Sequence, residues 1–385
     1  VFNTPPSQSF SQSNLFGTIF VEYRSLIFLF VITLIILGLI SLDTGFDGVT
    51  LFCLGVLLGG FFLYFQYGFA SGWRNFLVHG HSMQLSAHFC LAAICAIIFI
   101  PAKLWGIDAS GSVAPVSISL FMGAFLFGIG MQLANGCGSG VLFSFGASSG
   151  RMIIALPFFI VGSVIGSIIL PPVLLWGSLG PIVIGGDLST ALKATINIFL
   201  LSSVSVGFYL FGYSRDQKLP QHLIFGTLII ALLCCTVFIL SGHPWGVTFG
   251  FTLWGAKALQ GLGMTMTDFT FWTWPGPKRA LELSVLSNIS SLMDIGMIIG
   301  AGITAAVAGK LKNNEWPGNK QLLAAAIGGL IMGIGARLSF GCNIGAFLAG
   351  TASGSLHGWI WFGMALAGSW VGLKLRPFFG FKINS

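Results

Sequence analysis

Two cysteines set among glycines carry the chemistry this sequence offers: Cys137 in Asn135-Gly136-Cys137-Gly138-Ser139-Gly140, and Cys342 in Phe340-Gly341-Cys342-Asn343-Ile344-Gly345. At one constant offset of 205 residues, Gly123, Gly128, Gly130, Leu133 and Ser148 also fall on Gly328, Gly333, Gly335, Leu338 and Ser353, which indicates an internal duplication. Glycine beside a thiol lets the chain turn sharply and bring the sulfur, with nearby backbone N–H groups, against a passing molecule. Inward-facing N–H groups favour an anion, and a thiol is a weak, soft donor suited to one that carries sulfur. Cys137, Cys342, Gly136, Gly138, Gly341 and Asn343 are therefore the predicted substrate path. The competing reading is close helix packing, with cysteine as a small residue. Recurrence at the same point of both copies favours function.

Three charges lie in or beside apolar runs. Asp294 and Arg337 fall inside predicted spans, and an ionised side chain there costs roughly 2.5–3.5 kcal/mol, so each needs a partner or a wet cavity. Two readings stand side by side: the pair neutralise each other, or Asp294 couples protons and Arg337 draws anions. Lys257 either faces the path or snorkels to the interface. Cys53, Cys90, Cys95, Cys234 and Cys235 lie in predicted spans and read as packing residues. The histidines are too irregularly spaced for a metal site, and no nucleotide loop, dinucleotide fingerprint or hydrolase motif is present. Neither a metal nor a cofactor is expected.

Such residues must be positioned by a membrane bundle. Charged residues are 7% of the 385 and hydrophobic ones 55%, mean hydropathy is +0.93, and a soluble domain carries about 25% charged residues. The net charge of +7 is scattered between apolar segments, which argues against nucleic-acid binding. Apolar segments able to cross the bilayer fall near 24–42, 49–69, 84–104, 117–135, 151–172, 191–213, 222–241, 284–308, 322–340 and 357–375. The predicted fold is an all-α polytopic membrane protein of nine or ten transmembrane helices with short broken, re-entrant helices. Residues 1–18 read as a flexible tail, and 19–385 as one transmembrane domain of two pseudo-symmetric repeats, about 24–172 and 191–375. The linker 173–190 has room for a short interfacial helix. Stretches 70–83 and 242–283 are too broken for ordinary crossings, and irregular backbone at membrane depth survives only when covered by protein or lining a cavity. Four interruptions are thus expected to meet at the centre.

Ten basic residues flank the side shared by the termini, against five on the other, so the termini are expected in the cytoplasm. An odd number of spans per half then inverts the repeats, with Cys137 on a segment dipping in from the cytoplasm and Cys342 on one from outside.

The block Gly335-Ala336-Arg337-Leu338-Ser339-Phe340-Gly341-Cys342-Asn343-Ile344-Gly345-Ala346-Phe347, with Ser355-Leu356-His357-Gly358-Trp359, Gly368-Ser369-Trp370, Asp294-Ile295-Gly296-Met297 and the Cys137 segment, resembles the YeeE/YedE sulfur-transport family of bacterial inner-membrane proteins. The resemblance implies a transporter rather than an enzyme, taking up thiosulfate or a related reduced sulfur anion through S–H···S contacts at Cys137 and Cys342. Many members carry a third cysteine where Gly68 stands here. It also implies a small cytoplasmic sulfur-carrier protein as partner, expected as a separate chain docking near 214–221 and 310–320. Selenium compounds, persulfide or sulfide are alternative cargoes. A membrane sulfurtransferase forming a cysteine persulfide is the alternative from the enzyme class.

Overall fold

The computed structural model describes residues 23–311 and 316–381; the predicted tail 1–18, Lys312 and Lys382 lie outside them. The chain opens with α1 (Tyr23–Asp43), α2 (Gly45–Tyr64), α3 (Phe69–His79) and α4 (Met83–Phe99). A short strand, β1 (Pro115–Ser117), leads into α5 (Ile118–Ala134), α6 (Gly138–Gly146) and α7 (Gly150–Leu174). Strand β2 (Ser178–Pro181) precedes α8 (Thr190–Tyr213), α9 (Gln221–Ser241), α10 (Val247–Gly261) and α11 (Pro275–Glu282). Then come α12 (Ile289–Val307), α13 (Asn319–Leu338), a π-helical turn (Asn343–Leu348), α14 (Ala349–Ala352) and α15 (Leu356–Leu375).

This is a multi-pass membrane protein. Among the described residues, eight helical segments are long and apolar enough to cross a membrane, against the nine or ten expected. Helices form at all ten predicted positions. The shortfall has a physical reason: α4 has only 17 residues, and α15 is diluted by Trp359, Trp361, Trp370 and four glycines. Between the end of α7 and the start of α8, the linker forms no helix of its own. Its strand β2 pairs antiparallel with β1, because the Ser178–Pro181 segment, with Gly180 at φ 76°, favours extended and turn backbone.

The bundle is drawn together by glycines that let helix backbones touch, as expected where lipid offers no hydrophobic drive between helices. On α2 and α12, a Cβ added at Gly59 would lie 2.1 Å from the Met297 carbonyl, and one at Gly300 1.9 Å from that of Val56. The same closeness joins α5 to α15, where Gly368 meets the Phe125 carbonyl at 2.0 Å, and α7 to α13, where Gly162 meets that of Leu330 at 2.1 Å. Helices α5 and α13 run antiparallel: Gly123 packs on Gly335 and Ser339, and Gly328 on Gly130 and Ala134. Around this centre, α4 packs with α8 and α9. Helix α1 buries only Ile40 and turns its apolar surface outward. Cys53 on α2 is exposed rather than packed, since the glycine face of α2 takes the contact with α12.

The Gly300→Ala variant is expected to lose about 1–3 kcal/mol, because its methyl must push backbone apart. A Cβ at Gly363 on α15 meets nothing within 4 Å, so Gly363→Ala is expected to be neutral or slightly stabilising. Thermal unfolding of both in detergent checks the contrast.

Candidate functional site

The two cysteine turns follow the same backbone path. After α5, Asn135 takes a left-handed conformation (φ 64°), Gly136 follows, and Cys137 is extended (φ −91°, ψ −173°) as the residue that starts α6. After α13, Phe340 takes the left-handed conformation (φ 63°), Gly341 lies at φ 156°, and Cys342 is extended (φ −111°, ψ −164°) at the start of the π turn. Left-handed backbone reverses the chain in one residue, so each helix overshoots and sends its cysteine back toward the middle. Asn tolerates this conformation well. A bulky Phe does so rarely, so strain is held at Phe340.

The two returning segments meet. A Cβ on Gly138 would lie 2.9 Å from Cys342 Sγ and 3.6 Å from Thr248 Cγ2. Helix α10 starts at Gly246–Val247 beside the π turn, where a Cβ on Gly345 would come within 3.6 Å of Gly246 Cα. From the fourth side, Phe69 and Trp73 of α3 face the ring of Phe347, with centroids at 6.4 and 6.0 Å. Four broken segments therefore converge on one place.

The Cys137 thiol is held by a backbone N–H: Gly140 N–H donates to Cys137 Sγ at 3.4 Å, and Ser139 Oγ lies 3.5 Å from it. The Ile344 and Gly345 N–H groups lie near Cys342, whose side chain makes no capping hydrogen bond to the π turn. Both thiols are buried, at 1% and 0% exposure. Above Cys342 opens a vestibule of about 700 Å³, with Gly341 and Gly345 on its floor and Arg337, Arg279, His243 and Trp245 among its walls.

Arg337 does not pair with Asp294. Its guanidinium sits between the rings of Phe249 and Phe271, 5.8 and 5.5 Å from their centroids, and its Nε has no hydrogen-bond partner. Asp294 is wholly buried on α12, against Gly250, and faces the Trp245 indole. Neither the carboxyl oxygens nor Trp245 Nε1 reaches hydrogen-bonding geometry. Asn343, also at 0% exposure, leaves both amide atoms without partners. Buried polar groups are nearly always satisfied, so these unused donors and acceptors are the candidate contacts for a polar guest.

Lys257 falls elsewhere. Its ammonium donates to the Leu281 carbonyl at the end of α11, and it is absent from the vestibule wall. Gly136 backs onto Met152, where a Cβ would meet Cε at 3.1 Å. Gly68 opens α3 beside Phe69, so this position borders the centre without contributing a thiol. Trp245 and Thr248 lie in the broken stretch 242–283, and the sequence gives neither of them a role. The available signal was the His243-Pro244-Trp245-Gly246 stretch that interrupts the apolar pattern.

A family model described as sulphur transport matches residues 66–371. The probable transporter YedE of Escherichia coli (strain K12) is 35% identical over 155 residues, 40% of this chain and 38% of that protein. YedE of Salmonella typhimurium is 35% identical over 156 residues, with the same shares. The chain thus aligns with well under half the length of either YedE. The thiosulfate transporter TsuA of Spirochaeta thermophila is 27% identical over 340 residues, 82% of this chain and 96% of that protein.

A Cβ on Gly341 would meet Ala346 N at 2.8 Å, and its φ suits only glycine, so Gly341→Ala is expected to add about 1–3 kcal/mol of strain and displace the turn. Helical content by circular dichroism should stay unchanged while Cys342, mapped by peptide mass spectrometry, becomes several-fold faster to alkylate. An unaltered alkylation rate would show that the turn does not depend on this glycine.

Proposed function

This chain belongs to the sulphur transport family, and from that premise we propose that it carries thiosulfate, or a closely related reduced sulfur anion, into the cytoplasm. The observation that carries this reading is the head-to-head meeting of the two thiol turns under a cationic vestibule, with Gly138 against Cys342 Sγ. The likeness to a thiosulfate transporter over 82% of the chain supports the choice of anion.

The physical problem is a dianion in a low-dielectric interior, where an unpaired charge costs several kcal/mol or more. Arg337 and Arg279 raise the local concentration of anions in the vestibule. Below them, water is exchanged for the Ile344 and Gly345 N–H groups, the Trp245 indole, the Asn343 amide and the Cys342 S–H. The anion's terminal sulfur accepts from Cys342, then from Cys137. Both contacts are weak, and weak sequential sites let a charged species leave as readily as it arrives. In this reading the two halves are inverted repeats, the vestibule faces outward, and both termini are cytoplasmic. A small sulfur-carrier protein receives the anion at the cytoplasmic face.

A covalent reading, in which the Cys137 or Cys342 thiolate attacks the outer sulfur of thiosulfate, breaking the anion's S–S bond to release sulfite and leave a cysteine persulfide, is favoured by the same closeness of the two turns. Intact mass spectrometry after exposure to thiosulfate separates the two: a stable gain of one sulfur atom on either cysteine supports chemistry, and an unmodified chain supports passage alone.

Cys342→Ala and Cys137→Ala are each expected to abolish uptake of radiolabelled thiosulfate in cells lacking other importers, at matched membrane levels. Undiminished uptake in either variant would sink the thiol path. Gly138→Ala, whose methyl crowds Cys342, is expected to slow uptake about tenfold with a small loss of stability.

A further inference from the structure

Helices α8 and α9 are consecutive and joined by a short turn, a connection that ordinarily makes two helices close antiparallel neighbours. Here both pack on α4 and scarcely touch each other. The space left between them is a groove of about 230 Å³, with Ser86 and Ala87 of α4 at its floor, Val206 and Tyr209 of α8 on one wall, and Leu223 and Leu228 of α9 on the other. Its hydroxyls are used within the protein. Ser205 Oγ donates to the Ser86 carbonyl and Thr227 Oγ1 to that of Leu223, both at 2.8 Å, and Ser86 Oγ lies 3.3 Å from Ser205 Oγ. The groove therefore offers an occupant apolar surface, and Val206 and Leu228 remain exposed at its rim.

At one end the groove runs into a polar cavity of about 520 Å³, with Leu223 common to both. Arg215, Lys218, His81 and His222 line this cavity, against a single acid, Asp216, among the described residues. Its walls are held in place by Gln217, which ties the α8–α9 turn to the α3–α4 turn: Nε2 donates to the Gly80 carbonyl at 3.0 Å, and Oε1 accepts from the Ser82 N–H at 3.1 Å. The Arg215 guanidinium lies over the Phe211 ring, 4.2 Å from its centroid. Neither cavity shares a lining residue with the vestibule.

The junction of the two cavities has the level expected of a bilayer surface. Tyr209 and Tyr213 stack 6.1 Å apart in the last turns of α8, and such rings gather where hydrocarbon gives way to headgroups. A soluble anion would use only the cationic cavity, and an uncharged apolar molecule only the groove. A molecule with an apolar chain and an anionic head uses both, and juxtamembrane basic residues attract anionic lipids.

We propose that the crevice between α8 and α9, together with the Arg215–Lys218 cavity, is a binding site for an anionic phospholipid. One acyl chain fills the space between the two helices, and the phosphate lies among Arg215, Lys218 and His222. The site is separate from the thiol path and does not depend on the transport reading.

The test uses the purified full-length chain, delipidated in a neutral detergent. Cys90 is half-buried and lines the groove, whereas Cys53 is exposed on α2 and serves as internal reference. Alkylation by N-ethylmaleimide, mapped by peptide mass spectrometry, is followed with phosphatidylglycerol, with phosphatidylcholine of the same chains, and with inorganic phosphate. Phosphatidylglycerol is expected to slow Cys90 several-fold at concentrations where the other two have no effect, with Cys53 unchanged. Equal slowing by both lipids would mean an unselective apolar crevice and would overturn the site. Slowing by inorganic phosphate to the same extent, slowing of Cys53 in step with Cys90, or no slowing at all would also overturn it. Arg215→Gln with Lys218→Gln, helical content being checked by circular dichroism, is expected to raise the phosphatidylglycerol concentration for half-protection about tenfold. Arg215→Lys with Lys218→Arg should retain most of the protection. Protection that is the same in all variants would remove the two residues from the headgroup site and with them the proposal.

Discussion

A bilayer interior holds no water to satisfy backbone that leaves a helix, so every irregular segment in the hydrocarbon must be wrapped in protein. The four interruptions here depend on that wrapping. It is achieved by backbone-to-backbone contact at Gly59, Gly300, Gly162 and Gly368, which brings α2, α12, α7, α13, α5 and α15 close enough to seal the centre. Looser packing would leave the N–H groups around Cys137 and Cys342 facing lipid.

Within that seal the polar groups are graded. Arg337 and Arg279 line the vestibule at the Phe340 end, and Arg74, Arg151 and Arg376 gather at the opposite end of α5, around Asn135. Between them stand thiols, backbone N–H groups, an indole and an amide, all able to donate without carrying charge. A full positive charge at the centre would hold a dianion too tightly, and a dry apolar centre would exclude it. Asp294 is the exception, a buried acidic group that faces the Trp245 indole and makes no hydrogen bond among the described residues.

The two halves share their turns and diverge after them. Asn135 and Phe340 have nearly the same φ, 64° and 63°, yet α6 continues as an α-helix while the segment after Cys342 winds as a π-helix. A π turn adds a residue to the ring closed by each hydrogen bond and leaves backbone groups less well used, which is why such turns gather at functional sites. The half that faces the vestibule is the one that carries it.

The membrane class, the helix positions, the two thiol turns and the sulphur transport family could all be read from sequence, because each is written locally: in apolar length, in glycine beside cysteine, and in the Arg337–Phe347 block. What sits across from what was not local. Asp294 and Arg337 could equally have paired, and Lys257 could have lined the path. Packing sent Arg337 between two aromatic rings and Lys257 to the Leu281 carbonyl. The strand pairing of β2 with β1 joins segments about sixty residues apart, beyond any helix-period signal. Arg74, Arg151 and Arg376 are scattered along the chain and meet only because the middle of α3, the start of α7 and the end of α15 come to one place. Residue type sets what a group can do, whereas its partner is decided by helix packing, whose contacts join residues far apart in the chain.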